Sequence, residues 1–131
     1  MTDANRLDNA RAEAAVGDDA LRAAELLATA GLANDAISRA YYAAFHLARA
    51  LLLTEGLEPK THGGTLALLH KHFGARLSSD ALARLARLQT FRGLADYDAR
   101  ERLPPHRATE EIAAATAFIA EARALLVSAG V

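Results

Sequence analysis

Two segments of the chain hold side chains whose types and spacing suit work on a phosphate ester. In the first, Arg39, Tyr42, His46 and Arg49 recur at i, i+3, i+7 and i+10. On a helix, seven steps of about 100° return to nearly the same face, so Arg39 and His46 align two turns apart, about 10 Å along the axis. An arginine can hold a phosphate and a histidine can move a proton, which is the minimum for RNA cleavage. The same spacing also suits Tyr42 and His46 packed at an interface with both arginines in solvent. In the second segment, Arg92, Asp96 and Arg100 follow at i+4 steps. That pattern reads as a surface ion-pair ladder, about a few tenths of a kcal/mol per pair. It reads equally as a site, because Phe91, Gly93 and Tyr97 set aromatic rings and a glycine among the charges. A glycine inside a helix costs about 1 kcal/mol, which argues that Gly93 admits the close approach of another backbone.

Between these segments the charge is lopsided. From Lys60 to Arg92 the chain carries Lys60, Lys71, Arg76, Arg84, Arg87 and Arg92 against Asp80 alone, with His62, His70 and His72 added. Such a stretch can line a phosphate-binding groove. Few aromatic residues interleave with it, so base stacking is not strongly marked. His70 and His72 fall on opposite sides of a helix and no carboxylate cluster accompanies them, so no metal site is expected. The chain has no Walker loop, GxGxxG, GxSxG or HExxH, which excludes a nucleotidyltransferase, a serine hydrolase and a zinc peptidase of those types.

The elements that must carry these residues read as five helices separated by glycine and proline. The first is expected from near Leu7 to Ala30, with Gly17-Asp18 a point where it kinks or splits, and Gly31 in the left-handed position after its end. The second, about Ala33 to Glu55, carries the clearest apolar stripe: Ala33, Ala36, Ile37, Ala40, Tyr41, Ala44, Ala48, Leu51 and Leu52. Thr61-His62-Gly63-Gly64 reads as a loop, with Thr65 capping a short third helix to Phe73. Ser78-Ser79-Asp80 caps a fourth, roughly Asp80 to Arg100, buried through Leu82, Leu85, Leu88 and Ala95. Thr109 is expected to cap the fifth, with Glu110 and Glu111 in its positive first turn and Ile112, Thr116, Ile119, Ala122 and Leu126 on its buried face.

Composition agrees with an all-α antiparallel bundle of about five helices, one domain over residues 1–131. Alanine supplies 33 of 131 residues and aromatics only 5%, and alanine is the strongest helix former. Arginine outnumbers lysine 13 to 2, which suits planar recognition of phosphate and equally a compositional bias of the source. There is no cysteine, so neither a disulfide nor a zinc-thiolate site is available. A net charge of −1 argues against binding polyanions with the whole surface. No apolar run reaches the roughly 20 residues of a membrane span, and the polar start lacks a signal peptide, so a cytoplasmic protein is expected.

Residues 38–52, Ser-Arg-Ala-Tyr-Tyr-Ala-Ala-Phe-His-Leu-Ala-Arg-Ala-Leu-Leu, resemble the second-helix signature of the HEPN domain family. Lys60-Thr61-His62-Gly63-Gly64 is similar to the family's lysine–serine/threonine–histidine–x–glycine turn, and Phe91-Arg92-Gly93-Leu94-Ala95-Asp96-Tyr97 to its later arginine…alanine–aspartate–tyrosine segment. The three motifs keep their order across about Leu7 to Leu126, closest to the stand-alone prokaryotic branch. The resemblance implies a homodimeric helical bundle with a polar cleft at or near the subunit interface. It implies no cofactor, and often a toxin role beside a small nucleotidyltransferase antitoxin. Many such proteins are metal-independent ribonucleases using an arginine and, four to six residues on, a histidine; others bind nucleotides without catalysis. Here Arg92 takes the arginine's place and Tyr97 the histidine's, and a phenol is a weak base at neutral pH.

Two functions follow as expectations. One is binding of a nucleotide or RNA phosphate through Arg39, Tyr42, Lys60, His62, Arg92, Asp96 and Tyr97. The other is a metal-independent endoribonuclease with His46 moving the proton and Arg39 or Arg92 stabilising the transition state. For assembly, the expectation is a dimer in which one of two adjacent rows, Tyr41 with Phe45 or Tyr42 with His46, fills the monomer core while the other faces a symmetry mate, with Arg39, His46 and Arg92 near the shared groove.

Overall fold

A computed structural model describes residues 2–97, 100 and 102–131. The element order is α1 (Asp3–Thr29), α2 (Ala33–Thr54), α3 (His62–Phe73), α4 (Ser79–Tyr97) and α5 (Pro105–Ser128), and no strand occurs among the described residues. None of these helices is long and apolar enough to cross a membrane.

The second helix is the hub. It packs against all four others, and every residue of the stripe expected from its sequence is buried. That all-round burial rests on small side chains. On α1 the buried positions are Ala10, Ala14, Gly17, Ala20 and Ala24, a narrow seam at steps of four and three. Against it lie Ala40, Ala43, Ala44 and Ala48 of α2, and small residues on both sides let two helices approach closely. Gly17 neither kinks nor splits α1, which runs unbroken from Asp3 to Thr29. It is instead the closest contact of the crossing. A Cβ there would overlap Leu47 Cδ2 and lie 3.0 Å from the Ala43 carbonyl oxygen and 3.3 Å from His46 Cβ. Gly93 is the reverse, since a Cβ on it would meet no heavy atom within 4 Å. The close approach expected there is not made among the described residues.

The helix ends show which capping groups win. Gly31 turns the chain out of α1 at φ +81°. α3 starts earlier than expected, because Thr61 rather than Thr65 is its cap: Thr61 Oγ1 accepts from Gly64 N at 2.9 Å, which draws His62 and both glycines into the first turn. Ser78 Oγ accepts from Ala81 N at 3.0 Å at the start of α4. α4 is described to Tyr97 and Arg100 lies in a turn, so the charge ladder extends on the helix only from Arg92 to Asp96.

The fifth helix opens at Pro105, one turn before Thr109, since proline's fixed φ suits a first helical position. Its buried face is accordingly Ala108, Glu111, Ala115, Phe118, Ile119, Ala122 and Leu126. Thr116 is exposed and Ile112 half-buried. Glu111 therefore serves no helix end. It is fully buried and accepts from Arg87 of α4 at 2.9 Å, with Arg107 Nη1 at 3.4 Å. Both guanidiniums also lie over Phe91, and this group ties α4 to α5 beside a second small core of Ala33, Ala36, Ile37 and Ala108.

Candidate functional site

Ser38, Tyr41, Tyr42 and Phe45 follow i, i+3, i+4 and i+7 on α2 and so share a face. Two elements are brought onto that face. α4 supplies Arg92 and Asp96, and the cap at Thr61 fixes His62 as the first residue of α3. Arg92 Nη2 donates to Tyr42 Oη at 2.6 Å, and Arg92 Nε faces Asp96 Oδ2 at 3.0 Å. Ser38 Oγ donates to the other oxygen of Asp96. Tyr41 Oη and His62 Nδ1 are hydrogen-bonded at 2.8 Å, and the His62 ring stacks on Phe45 with centroids 4.2 Å apart.

The Arg92 guanidinium is surrounded by rings. Its carbon lies 5.5 Å from the Tyr41 centroid, 5.2 Å from Tyr42 and 5.3 Å from Tyr97, and its side chain is only 16% exposed. Arg39 sits over the same Tyr42 ring at 4.7 Å. Two cations thus share one phenol, and Asp96 is the carboxylate that faces Arg92. An arginine has five N–H donors in a planar fork, so Arg92 keeps donors for an oxyanion such as a phosphate after serving Tyr42 and Asp96.

Burial tunes the neighbours. It holds His62 below the usual histidine value, and the nearby charges of Arg92, Arg49 and His46 push in the same direction. His62 is therefore neutral at pH 7. Burial also drives Tyr41 up to about 12, outweighing the attraction of Arg92, while Tyr42 adds to the rise. Tyr41 stays a phenol throughout the physiological range.

His46 stands on the flank of this face rather than in it. Its Nδ1 lies 2.8 Å from Glu13 Oε1 of α1, and Arg49 Nε lies 3.3 Å from the same oxygen. The hydrogen bond from His46 lowers the Glu13 carboxyl, burial opposes it, and Arg49 and His46 add their charges to the lowering. Of the two aromatic rows, Tyr41 and Phe45 are the buried one, while Tyr42 and His46 are engaged by α4 and α1 of the same chain and stay half-buried.

Of the residues singled out in the sequence, Arg39, Tyr42, His62, Arg92, Asp96 and Tyr97 come together on one surface. Tyr97 is its outermost member at 75% exposed. Lys60 is exposed two residues before His62. Ser38, Tyr41 and Phe45 join the site without having been singled out as site residues by the sequence, although their i, i+3 and i+7 spacing around Tyr42 marks them. Two clefts of about 200 and 240 Å³ lie elsewhere, the first between the α1–α2 turn and Arg102, Leu103 and Pro105, the second along Asp80, Ala83, Arg84 and Arg87. Neither includes a residue of the Arg92 cluster. Among the described residues no group of histidines and carboxylates is placed to hold a metal ion.

Residues 9–126 match the model of the HEPN domain. A UPF0332 protein of Pyrococcus horikoshii is 43% identical over 58 residues, 44% of this chain and 41% of that one. A Methanocaldococcus jannaschii protein named "Putative toxin MJ0605" is 45% identical over 58 residues, 44% of this chain and 43% of its own length. A UPF0332 protein of Archaeoglobus fulgidus is 34% identical over 96 residues, 71% of this chain and 75% of that one. The matched region thus spans less than half the length of the first two relatives.

Proposed function

This chain belongs to the HEPN domain family, and on that premise we propose that it binds a nucleotide or an RNA phosphate on the Arg92 surface. The observation that carries the reading is the guanidinium of Arg92, oriented by Tyr42 and Asp96 and joined by Arg39 over one phenol ring. Orientation matters because a planar fork fixed in advance loses little freedom on meeting a phosphate. Tyr42, Lys60, His62, Asp96 and Tyr97 complete the contact surface. A homodimer sets two copies of this surface around one cleft, which fits a site that lies on the open face of a single chain. Two relatives bear the name putative toxin, which supports a toxin role; a small nucleotidyltransferase as its antitoxin partner and a cytoplasmic location belong to the same proposal.

Calorimetry with nucleotides and short RNAs tests this. Binding is expected to weaken as salt rises and to fall at least tenfold in Arg92→Ala, the worth of a charge-assisted contact. Wild-type protein that binds none of these ligands refutes the reading. Light scattering at micromolar concentration is expected to give about twice the chain mass of 13.9 kDa, and the monomer mass refutes the dimer.

A second reading, a metal-independent endoribonuclease, draws support from Glu13. A carboxylate at Nδ1 orients an imidazole so that its other nitrogen takes a proton, and His46 has that partner at 2.8 Å. In this reading His46 moves the proton while Arg39 or Arg92 stabilises the phosphorane-like charge. Growth arrest on expression, relieved by His46→Ala and by Arg92→Ala, supports it. RNA cleavage that survives both substitutions removes it.

A further inference from the structure

The hydrogen bond between Tyr41 and His62 has a direction that the surroundings decide. Tyr41 is 2% exposed, and among the described residues its hydroxyl has one hydrogen-bond partner, His62 Nδ1. A buried hydroxyl whose proton points at nothing costs about 1–3 kcal/mol. The phenol satisfies that proton only by donating to Nδ1, so Nδ1 carries the lone pair. In a neutral imidazole the other nitrogen then carries the hydrogen. Neutrality itself is favoured from every side: Arg92 of α4 and Arg49 and His46 of α2 all oppose a positive charge on His62, and the carboxylate of Glu13 is taken up by His46 and Arg49. Phe45, stacked at 4.2 Å, holds the ring plane.

We propose that Tyr41 is a positioning residue that fixes His62 in the form protonated at Nε2, so that His62 meets the bound phosphate as a neutral hydrogen-bond donor. The ligand half of this statement rests on the phosphate-binding reading above; the tautomer half stands on the chain alone. A donor of this kind serves beside Arg92 without adding a third full charge to a crowded group. It also means that Nε2 of His62 has no lone pair with which to accept a proton, so His62 is not a general base at neutral pH.

The test separates the two halves. Long-range proton–nitrogen NMR of the ligand-free protein at pH 7 is expected to show His62 with its hydrogen on Nε2. A hydrogen on Nδ1 overturns the proposal. In Tyr41→Phe the preference is expected to disappear, and the His62 titration to move up toward the ordinary value. Binding of AMP and of a hexauridylate RNA is then measured in folded variants, checked by circular dichroism. His62→Ala and Tyr41→Phe are expected to weaken binding about two- to tenfold, the worth of one net hydrogen bond. His62→Gln, whose amide nitrogen stands near the place of Nε2, is expected to restore most of the loss. Equal losses in His62→Gln and His62→Ala overturn the donor role. If neither probe binds the wild type, the phosphate reading and the ligand half fall together, while the tautomer is decided by the spectrum.

Discussion

Two glycines inside helices respond to alanine with opposite signs. On propensity alone both substitutions stabilise, since a mid-helix glycine costs about 1 kcal/mol relative to alanine. At Gly93 that is the whole account: a new methyl meets no atom within 4 Å, so Gly93→Ala is expected to stabilise the single chain by about 0.5–1 kcal/mol. At Gly17 the methyl enters the α1–α2 crossing. It overlaps Leu47, which is fully buried, and presses on the Ala43 carbonyl, which is backbone and cannot rotate away. Overpacking of that kind costs about 1–3 kcal/mol and more where backbone must shift. Because the Ala43 carbonyl is backbone, the upper part of that range applies, about 2–3 kcal/mol. Against a propensity gain of about 1 kcal/mol, the net for Gly17→Ala is a loss of about 1–2 kcal/mol. The two variants should then differ by roughly 1.5–3 kcal/mol in urea denaturation followed by circular dichroism, at unchanged m-value. Gly17→Ala at or above wild-type stability refutes the close crossing. Gly93→Ala that destabilises, and does so more at higher protein concentration, refutes the single-chain account and shows a second copy packed on that backbone.

Other consequences follow from the ion pairs. Glu111→Ala leaves Arg87 and Arg107 without their buried partner; loss is expected at about 2–3 kcal/mol, below the 3–5 kcal/mol of a fully enclosed pair because both arginines can rehydrate. Glu111→Met, which fills the space without charge, is expected to cost less than half as much, and equal costs in denaturant titrations contradict the pairing. Glu13 titrates lower in the folded chain than its ordinary 4.5. The unfolded chain therefore takes up the proton first as pH falls, and the stability Glu13 supplies above that value is lost as pH passes down through its folded value. Glu121, lowered by the backbone N–H and then the hydroxyl of Ser78, adds to the same acid-side loss. Thermal melts from pH 6 to 3 should show a shallower decline in Glu13→Gln than in wild type, and parallel declines count against the Glu13 share.

What the sequence displays of this fold depends on whether a residue's partner lies on its own helix. The apolar stripe of α2 is a periodicity within one segment, and all nine of its residues are buried. Gly17 misleads because glycine reads locally as a breaker, whereas its role is set by Leu47 and Ala43, about thirty residues on. Glu111 misleads for the same reason: a carboxylate beside a proline-initiated turn reads as a dipole partner, and only the distant Arg87 makes it a core residue. Thr61 and Thr65 are equivalent caps by composition. The choice goes to Thr61, whose extended backbone lets Oγ1 reach Gly64 N and whose carbonyl accepts from both the backbone and the hydroxyl of Thr65.

The candidate site divides along the same line. Arg92, Asp96 and Tyr97 announce themselves by mixing charge with rings on one helix, and Arg39 with Tyr42 by their i, i+3 step. That Arg92 is held by Tyr42, fifty residues away, is a property of the α2–α4 contact. The separation of the two histidines has more effect on the chemistry. Both lie near Phe45, with ring centroids at 5.8 and 4.2 Å, yet one is paired at Nδ1 with a carboxylate and the other with a buried phenol. A carboxylate accepts, so it leaves Nε2 of His46 open to take a proton; a phenol that must donate leaves Nε2 of His62 with a proton to give. Two imidazoles near one phenylalanine ring are thereby given opposite proton arrangements by the partners that α1 and α2 supply. The proposed cleavage needs the open Nε2 that Glu13 leaves on His46, whereas the proposed phosphate site at Arg92 gains only a neutral donor from His62.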